Sequence, residues 1–153
     1  MQISLEGKVA LVTGASKGIG RAIAASMAEA GANVMLSSRK QDQLETAAAE
    51  IARSATTGET AVFAANAGDV AAAQACVAAT IERFGGLDIL VNNAATNPYY
   101  GPTLGIDEGR FDKTFQVNLR GPLFWCQAAW DQAMRDKPGV IINIASVGGL
   151  RAE

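Results

Sequence analysis

Three glycines at a fixed spacing are the residues best suited to chemistry. They lie in Thr13-Gly-Ala-Ser-Lys-Gly-Ile-Gly20, just after the apolar run Val9 to Val12 and just before a stretch of helical spacing. Gly14 permits a tight turn out of a strand. Gly18 lets backbone approach a pyrophosphate, and Gly20 lets the following helix pack against the sheet. The free N–H groups and positive dipole end of that helix then face the phosphates. The competing reading is a glycine-rich turn that binds nothing. The strand before it and the helix after it favour the phosphate. Local charge agrees. Residues 1–40 carry five Lys/Arg and two Asp/Glu, a net of +3, while the remainder carry a net of −5.

Other chemistries are excluded. There is no histidine, so a Ser-His-Asp triad, a Cys-His pair and a His-ligated metal are ruled out. The only cysteines, Cys76 and Cys126, form no CxxC. A zinc ribbon and a disulfide scaffold are therefore excluded, and no metal is expected. The net charge of −2 gives no global attraction to nucleic acid.

The elements that must position the glycine loop are legible in the apolar pattern. With 153 residues, 49% apolar and 18% charged, the chain can bury a core and does not read as disordered. Lys8 to Thr13, Asn33 to Ser37, Thr60 to Ala65, Leu87 to Val91 and Gly139 to Ile144 read as strands. Helical spacing joins Ile19, Ile23, Met27 and Ala30, with Gly31 as the stop. It recurs from Gln41 to Ser54 through Leu44, Ala47 and Ile51, and again through Val77, Thr80, Ile81 and Phe84 to Gly85-Gly86. A long loop, Asn93 to Asp107, precedes a helix through Phe111, Phe115 and Leu119. Gly121-Pro122 should kink or break that helix, and Leu123 to Met134 is helical again. Trp125, Trp130, Phe111 and Phe115 are expected to serve packing. Strands that read as unbroken apolar runs are buried on both faces. The alternation therefore predicts an α/β fold, a doubly wound parallel sheet of Rossmann type. No uncharged apolar run reaches membrane-spanning length. The first apolar stretch is too short for a signal peptide, so a cytoplasmic protein with reduced thiols is expected.

TGxxxGxG after the first strand resembles the short-chain dehydrogenase/reductase family of NAD(P)-dependent oxidoreductases. Asn92-Asn93-Ala94-Ala95 resembles that family's NNAG motif, with Ala95 in place of the usual glycine. Asp69-Val70 resembles its adenine-contacting pair. Asn118 falls at its helix asparagine and Ser146 at its catalytic serine. The resemblance implies cofactor contacts from Gly14, Ser16, Lys17, Gly18, Ile19, Gly20, Ser38, Arg39, Asp69, Val70, Asn92 and Ala94. Simpler readings stand beside several of these. Asp69 immediately precedes a helix and can cap it, which is compatible with adenine contact. Asn92 and Asn93 can end a strand and satisfy turn backbone. Asn118 can interrupt a helix.

The second strand bears on which nicotinamide is bound. NAD binders commonly end it with an acid that holds the ribose hydroxyls. Here it ends Ser37-Ser38-Arg39-Lys40. Arg39 can grip a 2′-phosphate, and Lys17 adds a cation, so NADP(H) is expected over NAD(H). The alternative is that these are solvated surface charges.

In the family, the serine hydroxyl holds a carbonyl oxygen and a tyrosine delivers the proton. A lysine four residues on lowers that tyrosine's pKa, and the helix asparagine holds a water linked to the lysine. Ser146 and Asn118 are thus the catalytic candidates. Tyr99 and Tyr100, the only tyrosines, have no lysine four residues on. The expectation is that residues 1–153 are the N-terminal, cofactor-binding part of one larger domain of about 250 residues. The C-terminal part, with the tyrosine and lysine, is expected beyond Glu153. The five strands would belong to a larger sheet, and the chain alone should be nearly inactive. The complete protein would be an NADP(H)-dependent oxidoreductase acting on a small ketone or secondary alcohol, and a homo-oligomer. The rivals are a catalytically inactive NADP(H)-binding chain and a subunit-interaction fragment that binds nothing.

Overall fold

The structure, a computed structural model, describes residues 4–54 and 58–149. Its strands are β1 Val9–Thr13, β2 Asn33–Ser38, β3 Thr60–Ala64, β4 Ile89–Asn92 and β5 Val140–Asn143. Its helices are α1 Gly18–Glu29, α2 Gln41–Ala52, α3 Val70–Phe84, α4 Glu108–Phe115 and α5 Gly121–Ala129. The strands pair in parallel in the order β3-β2-β1-β4-β5. This is the doubly wound α/β sheet expected from the alternating pattern.

Side-chain alternation along each strand assigns the helices to faces. Ala10 and Val12 of β1, with Val34, Leu36, Ile89 and Val91, face α1 and α2. There they meet Leu44, Ala47 and Ile51, the α2 residues read at helical spacing, together with Ala24 and Ala28 of α1. Of the α1 residues read from spacing, Ile23 and Met27 are only partly buried and Ile19 is exposed. Leu11, Met35 and Leu90 face the other side, against Ala73, Cys76 and Val77 of α3 and Trp125 and Ala128 of α5. All five residues of β1 are buried, as its unbroken apolar run requires. Fully burying one such leucine stabilises the fold by about 1.5–3 kcal/mol. β5 is an edge strand, and its four residues are exposed.

The ends of α3 follow from local chemistry. The Asp69 carboxylate accepts from the Ala72 N–H at 3.1 Å, and Gly85 closes the helix in the left-handed region at φ +82°. The capping role read for Asp69 is therefore real.

Of the kink or break expected at Gly121-Pro122, the break does not occur. The backbone stays helical from Glu108 to Met134, with π-type turns at Gln116–Arg120 and Trp130–Met134. The Gly121 N–H bonds to the Gln116 carbonyl, five residues back. The wider turn accommodates a proline ring that would otherwise clash with the helix behind it. Of the four aromatics expected to serve packing, Trp125 is buried in the core. Trp130, Phe111 and Phe115 are about half exposed, and the last two stack on each other with centroids 4.5 Å apart.

One buried carboxylate ties strand ends together, away from the glycine loop. Asp88 accepts from the Val9 N–H at 2.9 Å and pairs with Lys137 at 2.9 Å. Burial raises its pKa. The hydrogen bonds from Lys137 and Val9, and the charges of Lys137 and Lys8, outweigh burial and hold it below the usual carboxylate value.

Candidate functional site

The strand order reverses between β1 and β4, because β2 and β3 extend to one side and β4 and β5 to the other. Such a switch point opens a crevice beyond the carboxyl ends of the strands. A cleft of about 540 Å³ lies there. Its walls come from the loop after β1, from Ser37 to Lys40 at the end of β2, and from Ala65 to Ala67 after β3. Asn93 to Thr96 after β4 and Lys113, Val117 and Trp125 of the long helix complete it.

The glycine loop is held by residues far away in sequence. The Thr13 hydroxyl donates to the Val91 carbonyl at 3.3 Å and accepts from the N–H groups of Asn93 and Ala94, each at 3.0 Å. The Asn93 amide donates back to the carbonyls of Thr13 at 3.0 Å and Gly14 at 3.3 Å. Gly14 sits at φ +66°, and a Cβ there would lie 2.9 Å from Ala94 Cα. Gly18 sits at φ +57°, and a Cβ there would touch nothing. Backbone at Gly18 therefore borders open room. Lys17, the N-cap of α1, makes no side-chain cap, and the first turn contains no acid. The N–H groups of that turn and their partial positive charge have no side-chain partner there.

The electrostatics of the cleft are one-sided. Lys17, Arg39, Lys40 and Lys113 line it, and no Asp or Glu does. Among the described residues none of these four pairs with a carboxylate. Four cations and a free helix N-terminus make a site for a multiply charged anion. Among the described residues no group of three or more His, Cys, Asp and Glu is placed to hold a metal. No helix there is long and apolar enough to cross a membrane.

Of the residues singled out in the sequence, the cleft gathers Gly14, Ser16, Lys17, Gly18, Ser38, Arg39 and Ala94. Gly20 lies just behind it, next to the Asn93 amide and the Gly14 carbonyl. Ile19 is largely exposed, and Asp69 and Val70 stand at the start of α3 beside the Asn66–Gly68 turn. Asn92 is directed elsewhere. Its buried amide donates to Asn143 at 2.9 Å and to the Cys126 sulfur at 3.4 Å, and Asn93 lines the cleft in its place. Asn118, in the first π turn, grips the loop after β4. It accepts from the Thr96 N–H and donates to the Thr96 carbonyl, both at 2.8 Å. Ser146 lies exposed beyond β5, its oxygen accepting from the Gly148 N–H at 3.1 Å.

Thr13, Lys113 and Trp125 were not among the residues singled out for the site. A charge on a helix and a tryptophan at core spacing carry no site signal of their own. Thr13 could have been suspected, because a hydroxyl entering a tight glycine turn has unpaired backbone within reach.

A family model described as short chain dehydrogenase matches residues 8–153. Galactitol 2-dehydrogenase of Agrobacterium fabrum is 40% identical over 150 residues, covering 97% of this chain and 56% of its own length. Levodione reductase of Leifsonia aquatica is 35% identical over 144 residues, 94% of this chain and 54% of its own. The chain thus spans about half the length of these curated relatives. Among solved structures, a short-chain type dehydrogenase/reductase from Mycobacterium marinum superposes with TM-score 0.93 and 32% identity, covering 99% of this chain and 61% of that one. A metagenomic short-chain oxidoreductase in complex with NADP superposes with TM-score 0.89 and 34% identity, covering 97% and 66%.

Proposed function

The chain belongs to the short chain dehydrogenase family, and on that premise we propose that it is the nucleotide-binding part of an NADP(H)-dependent oxidoreductase acting on a small ketone or secondary alcohol. One observation carries the cofactor choice: the cleft is lined by Lys17, Arg39, Lys40 and Lys113 with no carboxylate. An acid at the end of β2 would repel a 2′-phosphate and hold free ribose hydroxyls instead. Arg39 offers a planar fork suited to phosphate oxygens. The NADP complex of one structural relative supports the same reading.

The residues present fit the group. Gly14 turns the chain, open room borders Gly18, and the first turn of α1 offers its N–H groups to the pyrophosphate. Arg39 and Lys17 would hold the 2′-phosphate, Ser38 a ribose oxygen, and Asp69-Val70 the adenine. The Asn93-Ala94 turn would border the nicotinamide half. The bound cofactor supplies or accepts the hydride. Ser146 would orient a substrate carbonyl. Its oxygen already accepts from the Gly148 N–H, which leaves its O–H free to donate. Asn118 holds the loop at Thr96, fixing one wall of the cleft. Galactitol 2-dehydrogenase is named for an alcohol and levodione reductase for a ketone, which supports carbonyl–alcohol interconversion.

Nucleotide binding without turnover is the second reading for these 153 residues. It is favoured by Tyr99, whose hydroxyl donates to the Pro102 carbonyl at 2.9 Å, and by the absence of a lysine four residues beyond either tyrosine. The assembled protein would be a cytoplasmic homo-oligomer. Parallel titrations with NADPH and NADH test the cofactor assignment, with tighter NADPH binding expected. A ketone-dependent loss of NADPH absorbance separates catalysis from binding alone.

A further inference from the structure

The turn after β3 forms one wall of the cleft through Asn66 and Ala67, and it is held by the one helix whose Lys113, Val117 and Trp125 line the cleft beside it. The Trp125 indole N–H donates to the Ala67 carbonyl at 3.1 Å. The Gln116 amide donates to the Gly68 carbonyl at 3.4 Å and accepts from Lys113 at 3.1 Å. Gly121 lies against the same Ala67 carbonyl, where a Cβ would clash with its oxygen. In a regular α-helix, residues five apart point well away from each other. The π turn at Gln116–Arg120 brings Gln116 and Gly121 onto one face, and Trp125 follows Gly121 by four residues on that face. The helix irregularity is what lets Gln116, Gly121 and Trp125 grip one short turn.

We infer that Trp125 is a positioning residue for the adenosine half of the dinucleotide, acting through the Asn66–Gly68 turn. The inference rests on the nucleotide reading above. The adenosine half lies on the β2 side of the switch point, where the ribose is read at the end of β2, and β3 is next to β2. Trp125 is only 1% exposed, so its N–H has no water to fall back on. Removing the donor leaves the half-buried Ala67 carbonyl without that partner and frees the wall to shift. The nicotinamide half, beside the Asn93–Thr96 wall, does not depend on this contact.

Trp125→Phe keeps an aromatic ring and removes the donor; Gln116→Met removes the second grip. Dissociation constants are measured on the whole chain for adenosine 2′,5′-bisphosphate, NADPH and nicotinamide mononucleotide. Each variant is expected to weaken the first two about three- to tenfold and leave the mononucleotide unchanged. In the unmodified chain, the ¹⁵N-indole resonance of Trp125 is expected to shift with the bisphosphate and not with the mononucleotide. This arm stands even where Trp125→Phe impairs folding. Unchanged bisphosphate affinity in both variants, an equal loss for the mononucleotide, or an indole shift caused by the mononucleotide alone overturns the inference and leaves the nucleotide reading intact. Failure of the unmodified chain to bind any of the three overturns both.

Discussion

The side-chain amide of Asn93 fills the space a Cβ would need at Gly20, seventy-three positions earlier in the chain. The same amide donates to the Thr13 and Gly14 carbonyls. The third glycine of the loop is thus required by the protein itself, before any ligand arrives. The turn after β4 is part of the glycine loop's own scaffold.

Gly20→Ala is therefore expected to destabilise the chain by about 1–3 kcal/mol, since overpacking forces the Asn93 amide or the Gly14 carbonyl to move. Asn93→Ala removes one of the two obstacles. Urea denaturation of the double variant should show a loss smaller than the sum of the two single losses. Strict additivity would show that the two side chains do not compete for this space.

Asn118→Ala should release the loop after β4 without disturbing the core. Both amide atoms of Asn118 are bonded to Thr96 backbone. Native-state hydrogen exchange at the Thr96 amide is expected to accelerate about five- to tenfold, with the β4 amide of Leu90 unchanged.

Asp88 makes the fold sensitive to acid. Its folded-state pKa is held below the ordinary carboxylate value by Lys137 and the Val9 N–H, against the raising effect of burial. Its contribution is therefore fully present above the unfolded-state pKa and is lost as pH falls through the folded one. The stability difference between wild type and Asp88→Asn should shrink as pH falls through and below the ordinary carboxylate value of 3.8. Denaturant midpoints across that fall measure it.

The two cysteines should differ in reactivity. Burial in the core pushes the Cys76 thiol up to about 12, more than the hydrogen bonds of Ser37 and Thr80 lower it. Cys126 is only partly buried. Ellman's reagent is expected to modify one thiol per native chain and two after denaturation, because the thiolate is the reacting form.

The strands and the glycine loop were legible because their signals are local. Val9 to Val12 is an unbroken apolar run, and Gly14, Gly18 and Gly20 lie within one turn of chain. Arg39 and Lys17 were legible for the same reason. The choice between Asn92 and Asn93 depended on strand parity. Asn92 shares the face of Leu90 toward α5, so it meets Cys126. Only the next residue turns to the loop. Side-chain alternation along β4 carried that information. The continuous helix through Pro122 was not legible, because a π turn depends on hydrogen-bond register and not on residue type. Trp125 was read as core, which is correct for its ring. The partner of its N–H lies fifty-eight positions away and leaves no local trace.

We propose that the cationic cleft selects the 2′-phosphate through Arg39. Fluorescence titrations of wild type and Arg39→Asp with NADPH and NADH test it most directly. Wild type is expected to bind NADPH more tightly than NADH. Arg39→Asp is expected to lose about 10- to 100-fold in NADPH affinity, as for a lost charged hydrogen bond, and to hold NADH at least as well as before. NADPH affinity unchanged by Arg39→Asp, or wild-type preference for NADH, would show that Arg39 does not select the 2′-phosphate.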